Sequence, residues 1–110
     1  PAQRHSFAPP LTPPPQWLEV DLEKVFTLGE IDLYTYFGDG RYYQYVIEVS
    51  TDEKTWTKVA DGSANTAPAT AKGYRHAISP TKARYIRTTM LKNSANQGQH
   101  VVELRAYEAK

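Results

Sequence analysis

The chain has 110 residues, of which 40% are hydrophobic and 23% charged, with 13 basic against 12 acidic side chains and no cysteine. That length supports one domain with its own core, while the near-zero net charge excludes a nucleic-acid binder built on a broad basic field and a polybasic membrane anchor. Without cysteine there are no disulfides, thiolate zinc sites or cysteine nucleophiles, and no apolar run approaches the ~20 residues of a membrane-spanning helix.

Six of the eight prolines fall at Pro1, Pro9, Pro10, Pro13, Pro14 and Pro15. Proline fixes φ and removes a backbone donor, so residues 1–15 are expected to form a linker or surface loop, with Phe7 and Leu11 as available anchors. Beyond them, period two dominates. Trp17–Leu22 alternates Leu18, Val20 and Leu22 against Glu19 and Asp21. Thr27–Phe37 places Ile31, Leu33 and Thr35 on one face, with Asp32, Tyr34 and Tyr36 on the other. Tyr45–Ser50 sets Tyr45, Ile47 and Val49 against Val46 and Glu48. Trp56–Ala60 is short. A polar loop from Gly62 to Thr70 leads to Lys72–Ile78, followed by Ala83–Leu91 and His100–Tyr107. Seven short strands with polar turns and no sustained 3.6-residue stripe describe an all-β sandwich or barrel. Its expected core holds Leu18, Val20, Ile31, Leu33, Ile47, Val49, Trp56, Ile86 and Leu104. Trp17 is expected there too, for the area it can bury. Arg84 and Arg87 are expected to pair with strand neighbours.

No catalytic constellation is visible. His5, His76 and His100 have no metal-ligand spacing. There is no Gly-x-Ser-x-Gly elbow and no glycine-rich phosphate loop, Gly38-Asp39-Gly40 being a turn between strands. Glu19 and Asp21 stand two apart on a strand, about 6–7 Å between side chains, and face solvent with nothing enclosing them.

Three segments carry a family resemblance: Trp17-Leu18-Glu19-Val20-Asp21-Leu22; Tyr45-Val46-Ile47-Glu48-Val49-Ser50 with Thr51-Asp52 and Trp56; and Ala83-Arg84-Tyr85-Ile86-Arg87, closed by Val102-Glu103-Leu104-Arg105-Ala106-Tyr107. In this order they resemble the discoidin, or coagulation factor five/eight type C, domains, above all the family 32 carbohydrate-binding modules of bacterial glycan-degrading enzymes. The resemblance implies an antiparallel, galactose-binding-like jelly-roll sandwich. It also implies a non-catalytic module that recognises terminal galactose or N-acetylgalactosamine, targets an attached catalytic domain such as a glycoside hydrolase, and works outside a bacterial cell, in the periplasm or at the cell surface. The alternative is a cell-surface or protein adhesion domain, or a purely structural sandwich of a larger enzyme.

The chain departs from that pattern in two places. Asp52-Glu53 stands where the family usually has Asp-Gly, and glutamate does not adopt φ > 0 cheaply. A longer type I turn is expected, with Asp52 bonding its own backbone. The family's N-terminal strand and Asp-Gly loop are missing. Residues 16–110 are therefore expected to be the C-terminal part of a larger domain or protein, unless residues 1–15 replace what is missing.

The loop Tyr36-Phe37-Gly38-Asp39-Gly40-Arg41-Tyr42-Tyr43 gathers four aromatics and one arginine around two glycines. Sugars present C–H faces that stack on rings and hydroxyls that meet guanidinium donors. The resemblance implies that Arg41 contacts the axial hydroxyl, that Asn93 (or Asn96) assists from the loop before the last strand, and that His5 completes the set beside Phe37 and Tyr42. Arg41 and Asn93 are expected to be exposed. On the alternative reading Tyr43 and Phe37 cap the core and Arg41 is merely solvated. No cofactor is required. The resemblance implies a structural calcium held by the missing loop and by Glu103, but calcium takes six to eight oxygens, which one carboxylate does not supply.

Overall fold

The computed structural model describes residues 16–95 and 101–110. The proline-rich segment with His5, and the turn carrying Asn96, lie outside the described residues. Five strands follow in order: β1 (Gln16–Thr35), β2 (Tyr43–Ser50), β3 (Thr57–Gly62), β4 (Tyr74–Asn93) and β5 (Val101–Glu108). Their hydrogen-bonded order is β3-β2-β4-β1-β5, and every pairing is antiparallel.

The seven expected strands become five because two pairs fuse. Trp17–Leu22 and Thr27–Phe37 join as β1, and Lys72–Ile78 and Ala83–Leu91 join as β4, each 20 residues long. What looked like connecting turns are bulges. The register of β1 on β4 slips between Asp21 and Phe26 and again between Leu28 and Glu30. Such insertions bend a strand and tighten its twist without ending it.

The bends turn one ladder into two layers. The first part of β1, residues 16–21, pairs with residues 85–90 of β4, which carry β2 and then β3 on their other edge. The second part of β1 pairs with Tyr74–Ala77 of β4 and with β5. Tyr74 and His76 then lie against β2 face to face. The Tyr45 and Tyr74 rings are 5.3 Å apart, and the Tyr45 hydroxyl is 2.6 Å from His76 Nε2. The core between the layers contains Leu18, Leu28, Ile31, Leu33, Tyr43, Tyr45, Ile47, Val49, Ile86, Met90 and Leu104, all buried. Each large apolar side chain there contributes about 1.5–3 kcal/mol. Val20 packs against this cluster from its margin.

Two tryptophans depart from expectation. Trp17 is 59% exposed and Trp56 only half-buried, and neither joins the core. Trp17 has the parity of Glu19 and Asp21, so the pleat aims it outward with them. On that outer face the Arg87 guanidinium stands 4.0 Å from the Trp56 ring centroid and 4.9 Å from that of Trp17. Arg87 also faces Glu19 at 3.7 Å, and Arg84 donates two hydrogen bonds to Asp21 at 2.8 and 3.0 Å, so both arginines pair with strand neighbours as expected.

Candidate functional site

Residues 36–42 connect β1 to β2. Gly38 and Gly40 have φ of 111° and 81°, a region that side-chain-bearing residues rarely adopt. The two glycines turn Asp39 back onto Arg41. Asp39 Oδ1 accepts hydrogen bonds from the Arg41 backbone N–H at 3.2 Å and from Nε at 3.0 Å, and Oδ2 accepts from Nη2 at 2.7 Å. The guanidinium lies over the Tyr36 ring, 4.5 Å from its centroid, and Nη1 donates to the Tyr43 hydroxyl at 3.4 Å. These hydrogen bonds from Arg41 hold the Asp39 carboxyl down to about 2. They raise Arg41 in turn, Asp39 being the main cause.

Two further loops close on this one. The Ala69 N–H donates to the Arg41 carbonyl at 2.8 Å, and Asn65 Nδ2 to the Tyr43 carbonyl at 2.8 Å. Ser94 and Tyr42 exchange a pair of bonds: Ser94 N–H to the Tyr42 carbonyl at 2.9 Å, and Tyr42 N–H to Ser94 Oγ at 2.8 Å. Lys92 Nζ stands 5.6 Å from the Tyr42 ring centroid. Asn93 pairs in register with Tyr43, and its Oδ1 accepts from the Ala95 N–H at 3.0 Å.

The structure thus brings Phe37, Arg41, Tyr42 and Asn93 to one end of the sandwich, while His5 and Asn96 lie outside the described residues. Two of the four are not the exposed groups expected. The Arg41 side chain is only 10% exposed, because Asp39, Tyr36 and Tyr43 enclose it. Asn93 is 5% exposed, because it still belongs to the β4 ladder rather than to the loop after it. Tyr43 is a core residue, whereas Tyr36 and Phe37 are about half-exposed. Sequence reasoning passed over Asp39, Asn65 and Ser94. Of these only Asp39 carried a local signal, an aspartate between glycines two residues before an arginine.

The Glu103 carboxylate pairs with Arg105, whose guanidinium lies 4.5 Å from the Tyr34 ring centroid. Among the described residues no three histidine, aspartate or glutamate side chains cluster to hold a metal.

The model of the F5/8 type C domain matches residues 2–104. This chain belongs to the F5/8 type C domain family. The F5/8 type C domain is 31% identical over 90 residues to BTB/POZ domain-containing protein 9 of Bos taurus, a match covering 81% of this chain and 14% of that protein. The human protein of that name is 32% identical over the same length. The chain therefore spans only a small part of its curated relatives. Among solved structures, the family 89 glycoside hydrolase of Clostridium perfringens superposes with a TM-score of 0.76 at 26% identity, covering 86% of this chain and 10% of that one. The CBM32 of AlyQ, in complex with 4,5-unsaturated mannuronic acid, gives 0.73 at 27% identity, covering 96% and 78%. The domain has the all-β, galactose-binding-like fold of the CBM32 carbohydrate-binding modules, and no helix among its described residues is long and apolar enough to cross a membrane.

Proposed function

We propose that this F5/8 type C domain is a non-catalytic carbohydrate-binding module for terminal galactose-type sugars that holds an attached catalytic domain near its glycan. The observation that carries the reading is the loop end itself. The half-exposed Tyr36 ring lies under the Arg41 guanidinium of the Asp39–Arg41 pair, the half-exposed Phe37 follows it in the same loop, and Tyr42, Lys92 and the Asn93–Ala95 turn lie beside that loop. Rings that stack on C–H faces next to fixed polar groups are what an uncharged sugar needs. The similarity to a CBM32 solved with a sugar acid, and to a module-bearing glycoside hydrolase, supports the same class. A setting outside the cell, in the periplasm or at the surface of a bacterial-type cell follows from that role. Binding is weak, because a shallow polar site displaces ordered water and buries little apolar area.

The test is titration of galactose, N-acetylgalactosamine and lactose into labelled protein, followed by NMR. Shifts should concentrate in residues 36–43 and 92–95. Shifts that cluster elsewhere, or none across a broad glycan panel, overturn the reading.

A second reading, a protein adhesion domain, is favoured by the outer face where Trp17 and Trp56 hold Arg87 between them. Tryptophan and arginine are the side chains that most often anchor protein interfaces. Loss of partner capture on Trp17→Ala, in a protein that binds no sugar, would establish this second reading.

A further inference from the structure

If Arg41 met the sugar directly, its donors would have to face outward. Instead three of its five N–H groups are engaged, Nε and Nη2 donating to Asp39 and Nη1 to Tyr43, and one face of the guanidinium is covered by Tyr36. The side-chain exposures run the same way, 10% for Arg41 and 45% for Asp39. What this loop, with its half-exposed Tyr36 and Phe37, offers solvent is therefore a carboxylate gripped by a guanidinium that is itself largely covered.

We propose that Asp39 is the sugar-contacting group, accepting hydroxyl hydrogens, that Arg41 is its positioning residue, and that the site selects uncharged sugars over uronates. The inference rests on reading this loop as the sugar site. A carboxylate accepts hydrogen bonds only, so it pairs with hydroxyl groups, which can donate. Its geometry is fixed in advance by the two-point grip of Arg41, and the N–H of Arg41 closes the same turn. A uronate carboxylate would need the fork that Asp39 already occupies, and would bring a second negative charge against Asp39. Like-charge juxtaposition is how sites reject a near-isosteric ligand. Lys92, the other cation described beside the loop, is exposed and stands over Tyr42, where solvent and salt screen it.

The experiment compares methyl β-galactoside with galacturonate at neutral pH, by NMR titration of the wild-type chain and of Asp39→Asn. In the wild type the galactoside should shift residues 36–43, and galacturonate should bind at least about tenfold more weakly. Asp39→Asn keeps the shape and removes the charge. It should weaken the galactoside and bring galacturonate to within about threefold of it. The positioning role of Arg41 is read separately, from the carboxyl ¹³C titration of Asp39, whose midpoint should rise from about 2 toward the ordinary value of 3.8 in Arg41→Lys. Equal or tighter binding of galacturonate by the wild type overturns the inference while leaving a sugar site in place, as does a ratio unchanged by Asp39→Asn. If neither sugar shifts residues 36–43, the sugar-site reading fails and this inference with it. Should Asp39→Asn not fold, the wild-type comparison decides alone.

Discussion

Asp32 is an acid placed where ionising is expensive. It is 1% exposed, its Oδ1 has no hydrogen-bond partner among the described residues, and its Oδ2 is 3.6 Å from Arg75 Nε. Arg75 is shared with Glu30 at 3.3 Å. Burial first, then neighbouring Glu30, push Asp32 up to about 7, while a hydrogen bond from the Asp32 carboxyl is the first cause holding Glu30 down. Between the two titrations the pair carries one proton, and Asp32 is the group favoured to hold it. In the unfolded chain Asp32 titrates near 3.8, so between there and about 7 the folded state binds the extra proton. The stability linked to that proton is fully present below the unfolded value and is lost as pH rises through 7. Asp32→Asn has no proton to lose. It should be more stable than the wild type at pH 8 by about 1–3 kcal/mol, with the gain gone at pH 4. Urea midpoints at pH 4, 6 and 8 measure this, and a gain independent of pH would exclude the carboxylate as its source. Arg41→Ala has the opposite sign. Because the side chain packs between Tyr36 and Tyr43, its removal should lower stability by about 1–2 kcal/mol in a thermal melt, whatever it does to binding.

Turns are where this chain departs most from its relatives, and one of them can be improved. The expectation of an unstrained turn at Asp52-Glu53 was half right. Asp52 Oδ1 does accept from the Lys54 and Thr55 N–H groups, at 2.9 and 3.0 Å, yet Glu53 takes φ of 64°, the left-handed conformation a glycine would supply. Glu53→Gly should therefore stabilise by about 0.5–1 kcal/mol, measurable as a higher urea midpoint. Ser50→Ala should cost about 1–2 kcal/mol, since Ser50 Oγ accepts from both the Asp52 and Glu53 N–H groups. The strands themselves were legible because period two needs no long-range information. Trp17, expected in the core, shares its parity with the outward-facing Glu19 and Asp21, and the error came from letting tryptophan's hydrophobicity outweigh that parity. The fusion of strands was not legible, because a bulge and a turn use the same residues. Pro80 marked a break, but it lies within β4 where the register on β1 slips, a position that suits proline. At the candidate site, Phe37, Arg41 and Tyr42 stand together in sequence, so the loop that carries them was visible there. Asn65 and Ser94 reach the loop across 22 and 52 residues of chain, a separation that leaves no local trace.

At the scale of the whole molecule, no three histidine, aspartate or glutamate side chains among the described residues come together to hold a metal. Glu103 already faces Arg105, so calcium should leave the melting temperature of this chain unchanged. A longer chain carrying the family's upstream loop should melt higher with calcium than without it.

The sharing of β1 and β4 between both layers sets an order on synthesis. Every partner of β1 lies in β4 or β5, at residue 74 or beyond. Among the described residues, until Tyr74 has left the ribosome only the hairpin of β2 and β3 has its pairing partner available. Ile31 and Leu33, wholly buried in the finished domain, must wait in water until β4 arrives. A nascent chain stalled before Tyr74 should therefore hold no more than that hairpin and remain open to protease, and one that has fully released Glu108 should fold in a single step. Protease digestion of ribosome-bound chains of increasing length would show one abrupt gain of protection between those lengths, rather than a gradual one.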